Sequence, residues 1–93
     1  MKHPNLARMI VCLGDRTRLD ILLLLNVEKS LVSSMIAVKL GIRPSVASYH
    51  LRLLVEKGFV KSTKSGRYVL YHMNKENVRV FLTELHTVLG VVE

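Results

Sequence analysis

The stretch SSMIAVKLGIRPSVASYHLRLLVEKG, residues 33–58, holds two helical patterns separated by a break of glycine and proline. Ser33 and Ser34 are good N-caps for a helix ending at Leu40, where Gly41 supplies a left-handed terminator. Pro44 falls in the first turn of a second helix, where its missing N–H is harmless, and Gly58 stops that helix after Lys57. Two helices of these lengths joined through Gly41-Ile42-Arg43 have the proportions of a helix-turn-helix. On helix 44–57, Ala47, Leu51 and Leu54 recur at three- and four-residue spacing and form the face that packs inward. Ser45, Ser48, Tyr49 and Arg52 occupy the opposite face. Short hydrogen-bonding groups beside an arginine suit the major groove of duplex DNA, where arginine pairs with guanine edges.

Downstream of this unit the periodicity changes. Phe59–Lys64 and Arg67–Met73 are rich in Val, Tyr and Thr and meet across Ser65-Gly66, which predicts a hairpin with basic residues flanking its tip. From Lys75 the helical period returns, with Val78, Leu82, Leu85, Leu89 and Val92 spaced four, three, four, three and Phe81 and Val88 widening the stripe. Upstream, Leu6, Met9, Ile10 and Leu13 share one face of a helix over residues 4–13, closed by Gly14. Asp15 then caps a helix running to about Asn26, and Ile21 to Leu25 make it apolar almost all round, as a central buried helix would be. Glu28 to Leu31 read as a short link. The expected fold is α+β and mainly α: a winged helix-turn-helix of four helices, a β-hairpin wing over 59–73 and a C-terminal helix over 75–90. It forms one domain over residues 1–93, with the helix-turn-helix at 33–57.

Composition narrows the partner. Fourteen Lys and Arg oppose seven Asp and Glu, and 49% of positions are apolar, far too many for a disordered basic tail. Between Lys39 and Arg67 seven basic residues face only Glu56, so a local +6 accounts for nearly all of the +7 total. A folded domain with one basic segment points to a polyanion, nucleic acid before membrane. Lys39 and Arg43 bracket the turn and Lys64 and Arg67 flank the hairpin tip, positions suited to phosphates and the adjacent minor groove. The longest uninterrupted apolar run, Ile21 to Leu25, is far below the roughly 18 residues that cross a bilayer, and no signal peptide is visible. One cysteine excludes a disulfide framework and suits a reducing cytoplasm, the expected location. A chain of this length buries only about 60–65% of its unfolded surface, so the apolar first and last helices exceed what one copy can cover.

These stretches carry a family likeness. Leu13-Gly14-Asp15-Arg16-Thr17-Arg18-Leu19-Asp20-Ile21-Leu22 looks like the early helix pair of the ArsR family of winged-helix transcriptional repressors. Leu40-Gly41-Ile42-Arg43-Pro44-Ser45-Val46-Ala47-Ser48-Tyr49-His50-Leu51 is similar to that family's recognition-helix signature. Gly58-Phe59-Val60, Gly66-Arg67 and Tyr71-His72-Met73 match the start of its wing and the returning strand. The resemblance covers nearly the whole chain and implies a homodimer packed through the first and last helices on an imperfect inverted repeat in double-stranded DNA. The interface would then take Leu6, Met9, Ile10, Leu13, Leu82, Leu85, Leu89 and Val92. Arg43 departs from the family pattern, which has a small hydroxyl cap there; it weakens the helix start and adds charge beside DNA.

Relatives of this kind often sense metals, but the ligand positions do not match. The family's thiolate positions in the third helix read Val32 and Ser34. Its other common site uses carboxylate and His pairs on the final helices, and the matching positions near the start of the last helix read Lys75 and Asn77, with His86 alone on that helix. A site needs about three or four converging ligands. Joining His3, His50, His72 and His86 across a dimer is the weaker reading, because His50 and His72 occupy motif positions with structural roles. No metal and no cofactor are therefore expected. Cys12 reads as a small buried hydrophobe, and Arg18 as a structural hydrogen-bonding residue at the helix termini. No carboxylate pair, nucleophile–base set or phosphate-binding glycine loop points to an enzyme. The expected function is a sequence-specific DNA-binding repressor. The alternatives are a winged-helix protein–protein interaction module, which would want an acidic or apolar face on helix 44–57, and a non-specific DNA-coating protein.

Overall fold

The computed structural model describes residues 4–90. In chain order these form α1 (Pro4–Leu13), α2 (Arg16–Glu28), β1 (Ser30–Val32), α3 (Ser33–Leu40), α4 (Pro44–Glu56), β2 (Val60–Ser65), β3 (Tyr68–Met73) and α5 (Lys75–Leu89). The Asp15 carboxylate caps α2 as expected, accepting a hydrogen bond from the Arg18 backbone N–H at 3.1 Å. Gly41 ends α3 with φ +65, and the Ile42 N–H returns to the Ala37 carbonyl at 3.0 Å. Asn74 caps α5 through the Asn77 N–H at 3.2 Å.

Three sequence expectations need correcting. Residues 30–32 are not a plain link but a strand, and the antiparallel sheet runs β1-β3-β2 with Ser30 opposite His72 and Val32 opposite Leu70. Because the chain enters α3 straight from that strand, the N-cap is Val32, which has no side-chain cap bond, rather than a serine. Finally, α2 is not buried all round. Ile21, Leu22 and Leu25 are buried, but Leu23 is 57% and Val27 72% exposed. At 3.6 residues per turn only one stripe of α2 reaches the core, and among the described residues nothing covers Leu23 or Val27.

The core sits where α2, α3, α4 and the sheet meet. Ile21, Leu25, Ile36, Leu51, Leu54, Phe59 and Val60 are its largest fully buried side chains. Ala47, Leu51 and Leu54, the predicted inward face of α4, are all 0% exposed, so this helix is bolted down along one side. Phe59, at the root of the wing, meets Phe81 of α5 edge-to-face at 5.2 Å. The Asn74 N–H donates to the Phe59 carbonyl at 2.9 Å, and Asn77 Nδ2 donates to that of Gly58, also at 2.9 Å. These contacts fix the wing relative to both α4 and α5.

Candidate nucleic-acid interface

With one side of α4 buried, the residues predicted to read DNA lie on the other. Ser45, Ser48, Tyr49 and Arg52 are all exposed. The Arg52 guanidinium stands 5.5 Å from the Tyr49 ring centroid, a cation–π contact that holds its planar fork ready. Arg43 precedes α4 as its N-cap, exposed and without a side-chain cap bond. Lys39, across the turn, is partly engaged: its Nζ lies 3.7 Å from Glu28 Oε2. A half-exposed pair of this kind contributes about 0–1 kcal/mol, little enough for a phosphate to replace the carboxylate.

The wing is a two-stranded ribbon whose β2 residues beyond Val60 are all exposed. Ser65 pairs with Tyr68, which places the tip at Gly66-Arg67, one residue further along than the predicted Ser65-Gly66. Gly66 takes the first tip position with φ +61, where a tight hairpin favours glycine. Lys64 is opposite Val69 on the ladder, and Arg67 stands at the tip itself. Two neighbours were not among the predicted contact residues: Lys61, counted only within the basic segment and exposed on β2, and Tyr68, 60% exposed beside the tip. An exposed aromatic next to a basic hairpin tip was the available signal.

Behind the exposed face a polar latch ties α4 to the first two helices. Arg18 Nε donates to the Cys12 carbonyl at 2.6 Å, and Arg18 Nη1 lies 3.0 Å from His50 Nδ1. Since arginine only donates, His50 Nδ1 is the acceptor in this contact. Asp15 Oδ1 lies 3.9 Å from the same nitrogen. The Arg18 backbone N–H holds the Asp15 carboxyl below its usual range, while burial pushes the Cys12 thiol up and keeps it protonated. His50 also meets the Tyr49 ring edge-on at 5.1 Å. The structural roles expected for Arg18, His50 and Cys12 are those observed.

Of the expected dimer residues, Leu6 is 2% exposed within the single chain; it packs into its own core and offers no surface to a second copy. Met9, Leu13 and Leu85 are partly buried against that core. Ile10, Leu82 and Leu89 are exposed, and Val92 lies outside the described residues. Among the described residues no group of three or more His, Cys, Asp or Glu comes together as a metal site, and no helix is long and apolar enough to cross a membrane.

Comparison with known proteins agrees with this geometry. Residues 13–63 match the model of a helix-turn-helix domain family. Over 75 residues the chain is 33% identical to a cadmium resistance transcriptional regulatory protein CadC homologue of Staphylococcus aureus, covering 81% of this chain and 62% of that protein. It is 32% identical over 78 residues to an HTH-type transcriptional regulator of Methanocaldococcus jannaschii, covering 84% and 88%. The chain thus spans less than two thirds of the staphylococcal relative but most of the archaeal one. An ArsR-like transcriptional regulator from Rhodococcus superposes with a TM-score of 0.86 at 26% identity, over 96% of this chain and 83% of that one. The homodimeric winged helix-turn-helix DNA-binding domain of a possible ArsR-family regulator from Mycobacterium bovis gives 0.75 at 26%, over 96% and 82%.

A helix-turn-helix with an exposed polar reading face, followed by a basic antiparallel wing, defines a winged-helix DNA-binding transcriptional regulator rather than an enzyme. Within that class, the chain belongs to the ArsR family.

Proposed function

We propose that the protein acts as a homodimeric repressor that binds an imperfect inverted repeat in double-stranded DNA and occludes a promoter. The observation that carries this reading is the division of α4. Its inner face is 0% exposed at Ala47, Leu51 and Leu54, and its outer face presents Ser45, Ser48, Tyr49 and Arg52. In this reading α4 enters the major groove, Lys39 and Arg43 hold phosphates beside it, and Lys64 and Arg67 carry the wing onto the flanking groove or backbone. The dimer pairs the exposed apolar residues of α1 and α5, with Ile10, Leu82 and Leu89 at its centre and Met9, Leu13 and Leu85 beneath them. The homodimeric state of the Mycobacterium bovis domain supports a dimer of this chain.

The test is a fluorescence-anisotropy titration on duplexes selected from a random pool, compared with scrambled duplexes across a salt series. A specific dimer should select a two-fold-related sequence. Its affinity should fall with salt at a slope of about −0.9 per neutralised phosphate. Equal affinity for selected and scrambled duplex would leave only a coating protein, and no binding would leave the interaction-module alternative.

A further inference from the structure

A cleft of about 330 Å³ lies between α1, α2 and α4 and is bordered by Arg18. Its walls are Val11, Cys12 and Leu53, and its charged residues are Arg8, Arg18 and Lys57. Among the described residues no acidic side chain lines it, although Glu56 borders a neighbouring groove that Arg8 and Lys57 also line. Among the described residues neither Arg8 nor Lys57 has an ion-pair partner. The Cys12 thiol at the wall stays neutral because burial opposes its ionisation, so it adds apolar surface and no negative charge. The volume falls in the range of small-molecule sites, which combine apolar walls with a few placed polar groups. Apolar walls under unpaired cations match a ligand with an apolar tail and one negative head.

From this juxtaposition we infer that the α1–α2–α4 cleft binds an amphipathic organic monoanion, by chemical class a medium-chain carboxylate, and reports its presence to α4 through Arg18. Arg18 is the common element: it lines the cleft while holding the Cys12 carbonyl at 2.6 Å and His50 of α4 at 3.0 Å. A carboxylate that draws the guanidinium into the cleft competes directly with the His50 nitrogen, and a hydrogen bond between two opposite charges is the stronger kind. Releasing His50 frees its ring from Arg18 beside Tyr49, and through Tyr49 it disturbs the seat of Arg52. Occupation of the cleft therefore weakens DNA binding. The effect on DNA rests on the proposed function, whereas the binding of the anion does not.

The experiment is a titration of the full chain with octanoate, followed by the methyl NMR signals of Val11 and Leu53. 1-Octanol serves as the uncharged control and inorganic phosphate as the tail-less one. Octanoate should give saturable shifts, phosphate none, and octanol weaker binding. The double variant Arg8→Gln, Lys57→Gln, which leaves the Arg18 latch intact, should lower octanoate affinity about tenfold or more. Octanoate should also raise the Kd for the selected duplex, and the duplex should raise the Kd for octanoate by the same factor. Absence of saturable shifts, or octanol binding as tightly as octanoate, overturns the anion site. If Val11 and Leu53 are already shielded by a second copy and octanoate moves nothing, the cleft belongs to the dimer seam and the inference falls. Saturable binding with an unchanged duplex Kd overturns the coupling. Failure of the ligand-free protein to bind DNA overturns the functional reading alone.

Discussion

Replacing Gly58 by alanine should loosen the joint between the recognition helix and the wing, and its magnitude can be worked out in two parts. Gly58 has φ +84, a left-handed backbone that costs an L-residue about 1–2 kcal/mol. A Cβ at this position also runs into the Asn77 amide, the group that donates to the Gly58 carbonyl at 2.9 Å. Displacing that amide gives up a part-buried hydrogen bond, a net loss of about 0.5–1.5 kcal/mol. Together the two come to about 1.5–3.5 kcal/mol, against a total of about 5–15 kcal/mol for a typical domain. Urea unfolding at fixed protein concentration measures the whole. A double-mutant cycle with Asn77→Ala separates the parts. With the amide already gone, Gly58→Ala should show only the backbone contribution, leaving an interaction energy of about 1 kcal/mol. A loss under about 0.5 kcal/mol for Gly58→Ala, the range of ordinary surface changes, would refute the left-handed requirement. Strictly additive single losses would refute the role given to Asn77.

Three further outcomes are expected. Arg52→Ala should reduce discrimination between the selected duplex and its guanine-substituted versions by about 1–3 kcal/mol, while Lys64→Ala should weaken binding to all duplexes alike, as anisotropy will tell. Leu89→Glu, at a site 64% exposed in the single chain, should dissociate the dimer in light scattering and lower DNA affinity with little effect on the helical circular dichroism of the protomer. Asp15→Ala should cost about 0.5–2 kcal/mol at neutral pH through loss of the α2 cap. Because the folded-state pKa of Asp15 is lowered, its stabilisation is complete above the ordinary aspartate range. It disappears as pH falls through the lower folded value, so parent and variant should converge in unfolding experiments below about pH 4.

The elements that could be read from the sequence are those whose signals are local. Gly41, Pro44 and Gly58 mark α3 and α4 almost to the residue, because left-handed and proline backbones are dictated within a turn. The α4 faces followed from 3.6-residue periodicity alone, and Asp15 as a cap from its position before Arg16. What escaped depends on contacts distant along the chain. Three residues at 30–32 have too little pattern to announce a strand; they become one only because Leu70, Tyr71 and His72 come alongside. The Arg18–His50 latch joins positions 32 apart, so the sequence could suggest a structural role for each but not their pairing. The run Ile21 to Leu25 misled because five consecutive apolar residues hide the fact that a helix shows only part of itself to one neighbour. The exposed polar face of α4 was legible from that helix itself, whereas the cleft between α1, α2 and α4 is assembled from three helices and has no sequence signature.

The order β1-β3-β2 leaves β2 as an outer strand, with one row of backbone N–H and C=O groups open to solvent. An open strand edge is a template for pairing with another chain, and lysines are a common guard against it. Lys61 and Lys64 alternate onto opposite faces of β2, so both approaches to the edge are covered by positive charge. The wing lysines thus guard the strand edge, in addition to the DNA contact proposed for Lys64. Neutralising them to tune DNA affinity would expose an adhesive strand, and crowding of such variants would show itself as self-association before any loss of fold.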